Sequence, residues 1–274
     1  MEWNGKEPAM GIFTEDRVTL DLSKAVPTSE AVSISGKPVY EVYMDSAAVQ
    51  LRQTTYPAHE VALKLGRLDP RLVAFHDIDP QAIAPYNQLA ISLISAAYLR
   101  KLQRVLISSA QYGDGRTIVT LNLAAALARA GQRVLVVESD FLRPSALRLL
   151  GIDTETGLDE AIAKGLAPSE AMLWLKPIGF NLLPTGSQVE NSAELLASPV
   201  FEVMMQMLRP EFNFILFDSP PLLAVADASL LEHHTDATLL VIRQGYTSTS
   251  QMAKAVALLN EKRLLGAVLN RVVN

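Results

Sequence analysis

The chain has 274 residues, a formal net charge of −5 and no cysteine. Zero Cys excludes disulfides, thiolate nucleophiles and every Cys-containing zinc site, and the mildly acidic balance gives no reason to expect nucleic acid as the main partner. At ~150 residues per domain, the length admits two domains or one large α/β domain with an extension.

In chain order, residues 1–80 read as an N-terminal extension, partly ordered or dependent on a partner. It holds one strand-like segment over Ala31–Tyr43 and a helical stretch over Val61–Leu68. From 81 to 274 the pattern becomes regular and reads as a single domain. Apolar residues recur at helical spacing over Ile83–Leu99. Arg104–Ser108 is then a short apolar run. It leads through the loop Ser109–Gly115 into a helix from about Thr117 to Ala130, with Gly131 at the position that stops it. Arg133–Val137 is a second apolar run, and others follow at Gly179–Leu183, Phe214–Phe217, Ala237–Ile242 and Leu265–Leu269, separated mostly by helical segments. Continuous rather than alternating apolar character marks strands covered on both faces. The fold class is therefore α/β, with a doubly wound, mostly parallel sheet. Met204, Met205 and Met207 read as core packing. His233-His234 reads as a solvated helix end rather than a metal site.

Ligands in such folds bind beyond the carboxyl ends of the strands, and three of those ends are chemically unusual. Ala110–Thr117 has the spacing of the phosphate loop G-x-x-x-x-G-K-[ST], with Ala110 for the first Gly and Arg116 for the Lys. Glycines let successive backbone N–H groups point at phosphate oxygens, and the following helix N-terminus favours the anion. Gly113, Asp114, Gly115, Arg116, Thr117 and Ile118 form the expected nucleotide-binding stretch, with the Thr117 hydroxyl on Mg²⁺. Arg116 keeps the positive charge, but its planar fork is not interchangeable with an ammonium point charge. The alternative reading of the segment is an ordinary glycine turn between strand and helix.

The second strand ends in Glu138-Ser139-Asp140, and Phe214–Phe217 ends in Asp218. A lone acid after a strand is more often a cap, but several acids beside a phosphate-type loop fit a nucleotide-bound Mg²⁺. Asp218 would hold Mg²⁺ directly or through water, and Glu138 or Asp140 would orient or deprotonate a nucleophile. ATP or ADP with Mg²⁺ is the expected cofactor set.

Together these residues resemble the bacterial tyrosine kinases (BY-kinases), P-loop proteins of capsule and exopolysaccharide synthesis. Val105–Ala110 with Gly113–Thr117 resembles their Walker A segment. Val134–Asp140 with Arg143-Pro144 resembles Walker A′, usually D-A-D-x-R-x-P, and Phe214–Pro221 with Asp227-Ala228 resembles Walker B. Leu183–Gly186, Asn191–Leu196 and Leu265–Arg271 follow the family too. The resemblance runs from about Leu68 to the end and implies a P-loop NTPase fold of the BY-kinase/MinD-like type. It also implies ATP-dependent tyrosine phosphorylation and a membrane polysaccharide co-polymerase or transmembrane activator as partner. Asn270 matches a position that contacts adenine in related P-loop proteins.

The departures bear on activity. Arg116 replaces the Walker Lys, Glu138 replaces the first Walker A′ Asp, and Ile118 stands where a second hydroxyl residue is common. Tyr112 stands where Pro is usual and reads as a change of loop shape that covers the nucleotide. Ala84, Asn87 and Ala90 fall where the ring-assembly motif E-x-x-R-x-x-R carries charges, and Tyr246 is the last tyrosine, so the C-terminal acceptor cluster is missing. The expectation is a degenerate, pseudokinase-like member that retains some nucleotide binding. The alternative is an active MgATP-dependent autokinase or ATPase of the same pathway. Lack of a ~18-residue apolar run and of a signal peptide suggests a cytoplasmic location, with membrane association through the partner.

Overall fold

The computed structural model describes residues 58–76, 79–154, 156–189 and 191–270, and the backbone of short strands at 12–13, 33–34 and 37–38. Those strands are β1 (Ile12–Phe13), β2 (Ser33–Ile34) and β3 (Lys37–Pro38), the last two forming an antiparallel pair. The rest of the strand expected over 31–43 lies outside the described residues.

Continuous apolar runs become strands of one sheet, joined by helices. In order they are β4 (His59–Ala62), α1 (Pro80–Arg100), β5 (Arg104–Ser109), α2 (Arg116–Arg129) and β6 (Val134–Glu138). Then come α3 (Ala146–Leu150), α4 (Leu158–Lys164), β7 (Leu173–Lys176), β8 (Phe180–Leu183), α5 (Ser192–Leu196) and α6 (Pro199–Leu208). The last are β9 (Phe214–Asp218), α7 (Asp227–His233), β10 (Ala237–Arg243), α8 (Thr249–Val256) and β11 (Leu264–Asn270). The strand order is β1-β11-β10-β5-β9-β6-β8-β7-β4. The six strands from β11 to β8 run parallel, while β7 is antiparallel to β8 and β1 to β11.

Both faces of the central strands are dry, because successive side chains point to opposite faces. Val105, Ile107, Val134, Val136, Phe214 and Leu216 pack into the core that contains α1 and α2. Leu106, Leu135, Val137, Ile215 and Phe217 pack on the other side with Phe201, Met204, Met205 and Leu208 of α6. Each such buried side chain contributes about 1.5–3 kcal/mol. The α2 helix lies between sheet and α1 and is buried nearly all round. α1 starts where Asp79 accepts hydrogen bonds from the Gln81 and Ala82 amides, with Pro80 as its first residue. Among the described residues, no helix is long and apolar enough to cross a membrane.

The structure corrects two expectations. Val61–Leu68 is not a helix: Val61 and Ala62 end β4, which pairs in parallel with β7 from His59↔Leu173 to Ala62↔Lys176, and a 3₁₀ turn at Leu65–Arg67 follows. Strand pairing here overrides a weak helical pattern. Beyond β4, Leu68, Leu72, Ala74 and Phe75 enter the α1–α2 core. Asn122 fastens this segment to α2, its Oδ1 accepting from the Ala74 amide at 2.8 Å and its Nδ2 donating to the Arg71 carbonyl at 3.0 Å. β4 and the Leu68–Phe75 segment thus belong to the same sheet and core as the residues that follow. Met204 and Met205 are buried as expected, but Met207 is 50% exposed. The β7 strand is an addition that the spacing of apolar runs does not predict.

Asn181 is an anomaly of the core. It sits in β8 between Leu135 and Trp174, is 1% exposed, and neither its amide nitrogen nor its amide oxygen has a hydrogen-bond partner. Burying an unpaired amide costs about 1–3 kcal/mol. Asn181→Leu is therefore expected to raise the urea midpoint with unchanged slope, by about 1–2 kcal/mol of stability. A lower midpoint would show that the amide makes a bond that Leu breaks.

Candidate functional site

Strand order builds the site. β9 lies between β5 and β6, in a register that sets Asp218 beside both Ile107 and Glu138. Asp218 therefore sits between the glycine loop that leaves β5 and the acidic segment that leaves β6.

The loop is braced from β10 and β11. Gly113 (φ 89°) and Gly115 (φ 92°) occupy the left-handed region, and Gly115 caps α2. Asp114 is buried: its Oδ1 accepts from the Thr247 hydroxyl at 2.8 Å, and its Oδ2 accepts from the Gln111 amide at 3.2 Å. Asn270 Nδ2 donates to the Asp114 carbonyl at 2.9 Å, so this side chain secures the loop from below. A Cβ on Gly115 would lie 2.2 Å from Asn270 Nδ2. Ile118 packs its side chain into the core, leaving only its backbone on the loop side.

Arg116 is 7% exposed and folds back over the loop. Its Nη1 donates to Ser109 Oγ at 2.8 Å and to the Gln111 carbonyl at 3.2 Å, and its Nη2 pairs with Asp140 Oδ2 at 3.1 Å. Its Nε is buried with no partner. Asp140 also accepts from the Arg143 amide at 3.1 Å. Tyr112 lies above these groups, its ring centroid 4.2 Å from Arg143 Cζ and 5.4 Å from Arg116 Cζ.

Glu138 and Asp218 have different surroundings. Glu138 Oε1 accepts from the Ser145 and Ala146 amides at 2.6 and 2.7 Å, and Oε2 accepts from the Thr185 amide at 3.0 Å. The extra methylene relative to Asp lets one carboxylate cap α3 and tie down the loop after β8. Asp218 is 2% exposed, with Thr120 Oγ1 donating to it at 3.4 Å. Ser145 Oγ bonds the Thr117 hydroxyl at 3.1 Å.

Burial raises the pKa of all three carboxyl groups. For Glu138 it outweighs the backbone amides, and for Asp140 it outweighs the pull of Arg116. Asp218 is pushed up to about 7, by burial first, against the opposing effects of Arg116 and Thr117. Three buried acids thus face one buried guanidinium. A divalent cation fits that imbalance, with the Thr117 hydroxyl and Asp218 as donors. Among the described residues no group of three His, Asp or Glu side chains forms an all-protein cage. Mg²⁺ does not need one, because it takes few protein oxygens and completes its shell with phosphate and water.

The structure brings Gly113–Thr117, Glu138, Asp140, Asp218 and Asn270 to one end of the sheet. Sequence reasoning missed Ser109, Thr120, Ser145, Thr185 and Thr247, which position them. Their signal was their place just beyond or opposite a strand end, shared with many ordinary turn residues.

A family model for ParA, described as NUBPL iron-transfer P-loop NTPase, matches residues 100–272. The tyrosine-protein kinase YwqD of Bacillus subtilis is 30% identical over 187 residues, 68% of this chain and 79% of that protein. The chain belongs to the bacterial tyrosine kinase (BY-kinase) family of P-loop proteins. A putative tyrosine-protein kinase in the cps region of Klebsiella pneumoniae is 26% identical over 93% of this chain, which spans only 35% of that longer protein. The fold agrees with the BY-kinase assignment. The kinase domain of Escherichia coli tyrosine kinase ETK superposes with a TM-score of 0.70 at 24% identity, over 80% of this chain and 90% of that domain. The septum site-determining protein MinD of Pyrococcus horikoshii, complexed with Mg-ADP, gives 0.52 at 24% identity over 60% and 68%. In α1, at the positions aligned with the E-x-x-R-x-x-R motif, Ala84 and Asn87 are exposed while Ala90 is buried.

Proposed function

We propose that this BY-kinase-family chain binds a nucleoside di- or triphosphate with Mg²⁺ in the glycine loop and acts as a regulator of capsule or exopolysaccharide polymerisation or export. On this reading it docks on a membrane co-polymerase or transmembrane activator and transfers phosphate weakly or not at all. The cps-region name of the Klebsiella relative supports the pathway. The iron-transfer description has no counterpart here, since a chain without cysteine offers no thiolate for iron or iron–sulfur ligation.

One observation carries the weak-transfer reading. The Arg116 guanidinium is held by Ser109, Gln111 and Asp140, whereas a lysine ammonium on a flexible stem could follow the moving phosphoryl group. What is lost is charge stabilisation in the transition state; the backbone amides of the loop still suit phosphate in the ground state. Thr117 and Asp218 would hold Mg²⁺, which when bound neutralises phosphate charge. Asp140 is better placed than Glu138 to accept a proton, because the Glu138 oxygens are committed to three backbone amides. Survival of Thr117, Asp140 and Asp218 is what favours the second reading, an active MgATP-dependent tyrosine kinase or ATPase.

Equilibrium titration with a fluorescent ADP analogue and Mg²⁺ tests the binding half. The natural chain is expected to bind saturably. Gly115→Ala is expected to bind at least ~10-fold more weakly, because its Cβ meets Asn270 and its φ is strained. Absence of saturable binding by the natural chain would overturn the nucleotide reading.

A further inference from the structure

If the loop holds a nucleotide, the reading on which the role of Arg143 rests, the charges around it do not balance. A triphosphate brought to this loop meets three buried carboxylates, Glu138, Asp140 and Asp218. The one buried guanidinium among them is already taken up by three bonds, one of them to Asp140. Mg²⁺ with Arg116 would offset those acids, which leaves the charge of the triphosphate itself to be met by a side-chain cation at the mouth of the loop, where two arginines stand.

Arg243 is fixed as a brace. Its Nη1 bonds the Gly113 carbonyl at 3.3 Å, and its Cζ lies 4.7 Å from the ring centroid of Tyr246. Arg143 is differently placed. Its backbone amide is bonded to Asp140, so its side chain starts from within the carboxylate cluster. The residue is exposed, and among the described residues no carboxylate lies within ion-pair distance of its guanidinium. Its Cζ sits 4.2 Å from the ring centroid of Tyr112, a loop residue next to Gly113. Contact with the face of a ring leaves guanidinium N–H donors free, in the fork that matches phosphate.

The geometry points to Arg143 as the cation that meets the terminal phosphate of a bound nucleoside triphosphate, with Tyr112 as the positioning residue that holds it at the loop. Arg143 thus takes over part of what a Walker lysine supplies, and the aromatic residue at 112 is the substitution that makes this possible. The pair selects triphosphate over diphosphate.

Calorimetric titration of the full chain, with Mg²⁺ and either ADP or the non-hydrolysable analogue AMPPNP, reads this as a ratio of affinities. Arg143→Gln is expected to weaken AMPPNP ~10-fold and ADP less than ~2-fold. Tyr112→Ala is expected to reproduce that selective loss, and Tyr112→Phe, which keeps the ring face, to recover most of it. Arg243→Gln, which loosens the loop itself, is expected to weaken both nucleotides alike. Equal losses for the two nucleotides in Arg143→Gln, Tyr112→Phe as damaging as Tyr112→Ala, or a selective loss in Arg243→Gln would each overturn the proposal while leaving the nucleotide site standing. Failure of the natural chain to bind either nucleotide would overturn the site itself and this proposal with it.

Discussion

Arg116→Lys is expected to raise phosphoryl transfer from MgATP by on the order of 10²-fold over the natural chain, the usual effect of one well-placed transition-state donor. The physical cause is release rather than a gain of charge. The lysine keeps the cation but gives up the planar fork that bonds Ser109 Oγ, the Gln111 carbonyl and Asp140. Its ammonium can then move with the phosphoryl group, and Asp140 is freed to accept a proton. Ground-state nucleotide affinity should change far less than turnover, since the loop amides are untouched. Phosphate release and phosphotyrosine formation, measured in parallel, report the effect. Unchanged turnover would place the brake elsewhere, with Glu138 the next residue to change.

Asp218→Asn is expected to stabilise the metal-free protein by about 2–3 kcal/mol near pH 8. One unit of pKa shift is worth about 1.4 kcal/mol, less about 1–2 kcal/mol for burying the new amide. The folded protein holds this group with a pKa of about 7, against 3.8 for the ordinary carboxyl. The native state therefore keeps a proton that the unfolded chain has already lost. Its contribution to stability is fully present below about pH 4 and is lost as pH rises through about 7. Urea unfolding in chelator should show the natural chain weakening across that window, and the Asn variant following a flatter profile. Added Mg²⁺ and ADP should narrow the difference, because they compensate the charge that burial penalises. A natural chain equally stable near pH 5 and pH 8 would show that Asp218 is ionised without cost.

These expectations depend on features that the amino-acid pattern reveals unevenly. The β5, β6 and β9 strands were legible because they are dry on both faces, which demands unbroken apolar runs, and α2 because it starts at Gly115 and stops at Gly131. The chemistry at the strand ends was legible for the same reason: a polar residue ending such a run stands out, as Asp218 and Glu138 do. β4 and β7 were not. Both are short, and their identity comes from pairing with each other at residues more than a hundred positions apart, which local periodicity does not record. The same distance hid the braces Thr247 and Asn270 on Asp114. The pattern showed that Arg116 keeps a charge and changes shape, but not that three acceptors would pin its fork. Glu138 was legible as a carboxylate at a strand end, but its three amide partners, from Ser145, Ala146 and Thr185, were not.

Incubation of the pure full chain with Mg²⁺ and ATP radiolabelled at the γ-phosphate separates binding from transfer most directly. Label retained as bound nucleotide, with little or no phosphotyrosine on the protein, is the result predicted for a site whose arginine is held on Asp140. Robust phosphotyrosine that disappears in Asp218→Ala would contradict it, and would make this chain an active tyrosine kinase.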